Sequence, residues 1–214
     1  MGSDDILAVL AGIPMTLALT ASALLIGAVG GIPLVVARTA PSGLVRLLAR
    51  FLIEVLRGIP PLVWLFIIYF GVGLYLPWLS PLQASIAGLG VISCAYMAEI
   101  YRGALKAVHA GQWEASAALG MTRTTTAARI IGPQVIRISI PAAATWGIAL
   151  IKDSSVAFTL GVSEILYWAN YQARDTADPI WPFVAAAVVY IVMSAICAYL
   201  ARVVDHRLRR RIAR

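Results

Sequence analysis

The sequence predicts an all-α membrane protein with five transmembrane helices, and three observations carry that prediction. Hydrophobic residues make up 61% of the 214 positions and charged residues only 13%, against about 25% charged in a soluble domain. Five segments approach or reach the ~20 apolar residues that a helix needs to cross a bilayer core. The basic residues fall in alternate connections between those segments. This composition excludes a cytosolic enzyme or a soluble nucleic-acid-binding protein, so the net charge of +7 reads as basic loops on one side of a membrane.

The spans are expected at 13–36, 61–79, 82–101, 140–162 and 180–204. The fourth is the least uniform, because Lys152 and Asp153 lie within it. The first residues carry Asp4 and Asp5 and neither Lys nor Arg, the reverse of the basic start of a signal peptide. Fifteen of the 17 Lys and Arg residues lie between spans one and two, between spans three and four, or at and beyond the end of span five. The positive-inside rule puts these regions in the cytoplasm, with the N-terminus outside and the C-terminus inside. The segment Ser163–Pro179, with Glu164, Asp175 and Asp178, is then external, and Tyr167, Trp168, Tyr171 and Trp181 fit an aromatic belt there. Arg207–Arg211 read as an orientation anchor, with binding of anionic lipid or nucleic acid as the alternative. Cys94 and Cys197 both lie in apolar runs and read as small buried hydrophobes.

The first cytoplasmic connection contains an amphipathic helix. Leu44, Leu47, Leu48, Phe51, Leu52 and Val55 share one helical face, while Arg46, Arg50, Glu54 and Arg57 lie opposite. Arg50 and Glu54 are spaced to pair. Such a helix lies along the inner leaflet or packs on the bundle, and Gly58, Pro60 and Pro61 break the path into span two.

The second connection, 102–139, is far longer than an ordinary helix–helix link of a few residues. Gln112–Leu119 is a run of good helix formers, with Glu114 expected in its first turn, where the helix dipole favours a carboxylate. Gly120 is placed to end the helix in the left-handed conformation. A second helix is expected from about Thr124 to Arg137, interrupted at Pro133, with Pro141 opening span four. This is a compact docking element for a partner.

The run "GQWEASAALGMTRTTTAARIIGP" resembles the EAA loop of permease subunits of bacterial ABC importers. Glu114, Ala115, Gly120, Ile130 and Pro133 fall in register, while Ser116 replaces the third small residue and Gly132 a leucine. "GIPMTLALTAS", "EVLRGIPPLVWLFIIYFG", "AYMAEIYRGALKAVHAGQWEA" and "LIKDSSVAFTLGVSEI" are similar to the polar amino acid permeases of that class, with departures at Ile59 and Trp64. The resemblance covers almost the whole chain. It implies the type I ABC importer permease fold and a coupling helix over 112–120 formed by Gln112, Glu114, Ala115, Ser116 and Gly120. It implies two ATP-binding cassette subunits, a second identical or similar permease chain, and an extracytoplasmic solute-binding protein on the outer loops. The location implied is the bacterial inner membrane. ATP and Mg belong to the partner ATPase, since no G-x-x-x-x-G-K-[ST] phosphate loop occurs in this sequence, and no cofactor is expected in this chain. Glu114 is left two roles, an ion pair with the ATPase or a cap of its own helix.

Polar residues inside spans are functional candidates by default. Ser93, Tyr96, Glu99, Trp146, Lys152, Asp153, Ser154 and Ser155 are the candidates for the substrate path. Glu99 has Arg102 three residues on as an alternative partner, and Lys152 and Asp153 have an alternative role in holding span four to its neighbours. Competing classes are a secondary transporter or channel subunit, which leaves the long cytoplasmic connection unexplained, and an intramembrane protease, which needs a histidine within the bilayer. The two histidines, His109 and His206, both fall in cytoplasmic regions. Within the importer class the rival substrates are an opine, a dipeptide or an osmolyte.

Overall fold

The computed structural model describes residues 3–176 and 180–212, with side chains over 7–176 and 180–203. Asp178, Arg214 and the side chains of Asp4, Asp5 and Arg207–Arg211 lie outside what it describes. The helices are α1 (Ser3–Leu10), α2 (Ile13–Arg38), α3 (Gly43–Gly58), α4 (Pro61–Phe66), α5 (Pro81–Ala107), α6 (Ala110–Ala118), α7 (Arg123–Thr126), α8 (Gly132–Asp153), α9 (Ile165–Asp175) and α10 (Trp181–Ile212). Four helical stretches among the described residues are long and apolar enough to cross a membrane. A fifth exists if α3 and the stretch Pro61–Leu74, bent by 99° at their junction, count as one span.

The centre of the bundle is α2 against α5. In a membrane there is no hydrophobic force between helices, so close approach through small residues replaces it. Ala23, Gly27 and Gly31 recur every fourth residue and form a buried stripe on α2. A Cβ on Gly27 would lie 2.1 Å from Ser93 Oγ and 2.8 Å from the Ser93 carbonyl carbon, and one on Gly31 would lie 2.8 Å from Met97 Cβ. Tyr101 then donates across the interface to the Ala28 carbonyl at 2.9 Å. Large apolar side chains point the other way: Leu25, Val29 and Ile32 of α2 and Ile191, Val192 and Ile196 of α10 are exposed, as lipid-facing residues are.

Three expectations change. Span two does not run to Leu79. After α4 the chain makes a π turn at Ile67–Gly71 and a 3-10 turn at Val72–Leu74, and Pro81 then opens α5 behind a Ser80–Gln83 capping box. The sharp corner before α4 is braced by Trp64, whose indole N–H donates to the Leu56 carbonyl at 3.2 Å. The second loop helix and span four are also not separate: helix continues from Arg123 to Leu160. Pro133 is tolerated because the π turn Ala127–Ile131 precedes it and places it in the first turn of α8, where its missing N–H is not needed. Pro141 lies inside α8 and withholds the N–H that the Arg137 carbonyl would accept, while four residues on the Thr145 hydroxyl donates back to the Pro141 carbonyl at 3.1 Å. The third change concerns α3. Its buried strip is Ala49, Ile53 and Leu56, so the expected apolar face of Leu44, Leu47, Leu48, Phe51 and Leu52 stays exposed. Of the two placements, this leaves the leaflet rather than the bundle. No ion pair joins Arg50 to Glu54 among the described residues. Cys94 and Cys197, expected to be buried, are free thiols and half-buried.

At the end of the bundle opposite α6, the sequence reading missed a buried polar knot. Glu164 is fully buried and caps α9. One carboxylate oxygen accepts the Tyr167 N–H at 2.8 Å and the other accepts the Tyr190 hydroxyl at 2.5 Å. The Ile165 N–H donates to Thr16 of α2 at 3.3 Å. One carboxylate thus ties α9 to α10 beside the start of α2. Burial pushes its carboxyl above the usual range, outweighing the Tyr190 and backbone hydrogen bonds that pull it down.

Gly27→Val should lower the thermal unfolding midpoint of the solubilised protein by several degrees, since overpacking costs about 1–3 kcal/mol. Gly103→Ala, where an added Cβ meets nothing, should leave the midpoint unchanged or raise it. Glu164→Ala strands a buried N–H and a buried hydroxyl and should cost about 2–3 kcal/mol, whereas Glu164→Gln, which keeps an acceptor for one and a donor for the other, should cost less. Because the folded carboxyl titrates above its unfolded value, its contribution is full below about pH 4.3 and is lost as pH rises through the folded value. Glu164→Gln should remove that dependence from a stability–pH profile.

Candidate functional site

The α6 turn is built from local chemistry. His109 is the N-cap, its Nδ1 accepting the Gly111 N–H at 3.1 Å. At the other end Gly120 has φ 68°. The Met121 N–H bonds the Ser116 carbonyl at 3.0 Å, and the Gly120 N–H bonds that of Ala117 at 2.9 Å. This is a Schellman stop, the role expected of Gly120. The helix begins at Ala110, however, so Glu114 falls in the second turn and not the first. His109 already caps the helix, and Glu114 does not. It stands exposed, with Gln112, Ala115 and Trp113.

Ser116, the departure from the third small residue, faces inward: it is buried and donates to the Gln112 carbonyl at 2.7 Å. Gln134 of α8 donates to Gln112 Oε1 at 3.2 Å, tying the protruding turn to the long helix behind it. Between α6 and the neighbouring ends of α2 and α5 lies a largely apolar cleft of about 1050 Å³, reached by Val36, Pro41, Leu105, Trp113, Glu114 and Met121 among others.

The structure brings together three of the eight path candidates, Ser93, Tyr96 and Trp146. The Trp146 indole N–H donates to Ser93 Oγ at 2.8 Å, and Tyr96 stacks on Trp146 with ring centroids 3.7 Å apart and planes 12° off parallel. The stacking and the buried hydrogen bond hold both rings in place. Glu99, one turn along α5, is instead held by Arg102 at 2.7 Å and faces Arg38 of α2 at 3.7 Å, which is the alternative left open for it.

The remaining candidates lie further along α8 and its 3-10 continuation Ser154–Leu160. Lys152 is exposed, while Asp153 and Ser155 are half-buried. The Ser154 hydroxyl is buried and turned onto its own helix, donating to the Ile151 carbonyl at 2.8 Å. Asp153 makes no hydrogen bond or ion pair with Lys152 among the described residues.

In the sequence Arg57 is one charge on the polar face of α3, whereas in the structure its guanidinium lies over the Tyr96 ring, 4.7 Å from the centroid. Its place within "EVLRGIPP", at the corner into α4, was the available signal. Among the described residues no group of three or more His, Cys, Asp and Glu side chains is arranged to hold a metal.

Comparison with known proteins agrees with this architecture. Residues 23–210 match the family described as the inner membrane component of binding-protein-dependent transport systems. A probable amino-acid permease of Bacillus subtilis, YxeN, is 36% identical over 88% of this chain and 85% of its own length. The octopine transport system permease OccM of Rhizobium meliloti is 34% identical over 94% of this chain and 86% of its own. A crystal structure of an amino acid ABC transporter with histidines superposes with a TM-score of 0.85 at 31% identity, covering 94% of each chain. An inward-facing methionine ABC transporter shares the fold at TM-score 0.85 and 20% identity, over 97% of this chain and 99% of that one. With the EAA register, the exposed α6 turn and this match over most of its length, the chain belongs to the family of inner-membrane permease components of binding-protein-dependent ABC importers.

Proposed function

We propose that this permease forms one half of the path for a small polar amino acid and is driven by ATPase subunits that bind α6. The observation that carries the reading is the α6 turn itself. A short helix with Trp113, Glu114 and Leu119 exposed is rigidly stopped at Gly120 and strapped to the long α8 helix through Gln112–Gln134. It is a handle by which a partner in the cytosol moves a membrane helix.

The amino acid as substrate is supported by the relatives' names. An opine remains the second reading, because OccM, one of those relatives, is an octopine permease. Two ATP-binding subunits, which hold the ATP and Mg, act with two permease chains. A solute-binding protein docks over α9, on the side opposite α6. The orientation, N-terminus outside and C-terminus in the cytoplasm, rests on the basic connections and their positive-inside bias.

The direct test is mild-detergent co-purification, followed by ATP hydrolysis with the binding protein and a panel of polar amino acids. An ATPase should co-purify, and one or more of these solutes should stimulate it. No co-purifying ATPase would defeat the reading. Gly120→Val forces a branched residue into the left-handed region at a cost of about 1–2 kcal/mol and should cut stimulated hydrolysis by roughly tenfold. Asp153→Asn should change apparent substrate affinity or coupled hydrolysis, and unaltered transport would remove Asp153 from the path.

A further inference from the structure

We propose that the Arg57 guanidinium, seated over Tyr96 beside Ser93 and Trp146, receives the carboxylate of the transported amino acid. The inference deepens the transport reading above and rests on it.

An arginine that merely orients the protein would reach out to lipid phosphate and water. Arg57 is carried the other way. It is the penultimate residue of α3, where the chain turns through 99° into the membrane, and its guanidinium carbon is 4.7 Å from the Tyr96 ring centroid. That ring is itself clamped on Trp146, and Trp146 is bonded to Ser93. A guanidinium stacked on an aromatic face keeps its in-plane N–H donors free at the edge, and that fork matches a carboxylate.

Charge points the same way. Glu99 is the acid in electrostatic reach of Arg38, Arg57 and Arg102 together, but Arg102 occupies it at 2.7 Å. Arg38 stands 3.7 Å away with a buried Nε that has no hydrogen-bond partner. Glu54, one turn before Arg57 on α3, forms no ion pair with it among the described residues. Three guanidiniums therefore share one carboxylate at the inner end of the bundle. With Glu99 occupied by Arg102, two of the three guanidiniums are left without a carboxylate of their own, and a bound anion relieves their mutual repulsion. Arg57 is exposed, so the anion can come from outside this chain, and the wall of two stacked rings suits a small organic carboxylate.

The test uses the assembled permease–ATPase complex in lipid nanodiscs and measures binding of L-arginine, L-glutamine and L-histidine against their carboxyl amides. The wild type should bind its preferred amino acid at least tenfold more tightly than the amide, the scale of one charge-assisted hydrogen bond. Arg57→Gln should lose that preference, the two affinities converging within about twofold. Arg57→Lys keeps the charge without the fork and should lose roughly three- to tenfold for the amino acid and nothing for the amide. It also decides the matter if Arg57→Gln fails to assemble. Equal losses for acid and amide, or an undiminished preference in either variant, overturn the carboxylate site while leaving the transport reading intact. Failure of Arg57→Lys to assemble with the second permease chain also overturns it, in favour of an ion pair at that interface. A wild-type complex that binds none of the amino acids overturns both.

Discussion

The close approach of α2 and α5 is the constraint on which the rest depends. Ala23, Gly27 and Gly31 let α5 lie so near that a single β-carbon would strike Ser93 or Met97. With lipid outside and helix inside equally apolar, this contact is made by van der Waals fit and a few hydrogen bonds. It fixes which face of α5 is left over. Ser93 turns from Gly27 to reach Trp146, Tyr96 stacks beside it, and Glu99 meets the end of α2 at Arg38. The polar row of α5 is thus aimed by small residues that carry no chemistry of their own.

The same logic explains which parts of the fold were legible in the sequence. Long apolar runs and the sidedness of arginines report the medium that surrounds the chain, so the first, third and fifth spans were readable. The α6 helix and its stop were readable because they are local: Gly120 ends the helix by its own backbone. What failed were the junctions. Pro133 and Pro141 look like helix ends in a sequence, but a π turn precedes the first, and α8 runs on through the second. The start of α6 was misplaced because a histidine, an uncommon cap, supplies the acceptor.

The site was legible in part and for a definite reason. Periodicity located Ser93, Tyr96 and Glu99 on one helix, and their polarity marked them. Which of them face α8 and which face α2 depends on helix rotation, which is set by Gly27 and Gly31 and not by their own neighbours in sequence. Arg57 and Glu164 escaped because each sits beside a break, Arg57 before Pro60 and Glu164 after Gly161. There the direction of a side chain is decided by the turn. An acid immediately before an apolar helix is a capping signal, and for Glu164 it was the clue available.

The unbroken helix from Arg123 to Leu160 gives the molecule a lever. At 1.5 Å per residue its 38 residues extend about 57 Å. Its lower tip adjoins α6 and its upper part carries Trp146 and Asp153. The π turn at Ala127–Ile131 lies near the tip that adjoins α6. On the coupling proposed above, one continuous piece of chain therefore joins the protruding turn to the aromatic pair in the bundle, with no loop between them to absorb a displacement.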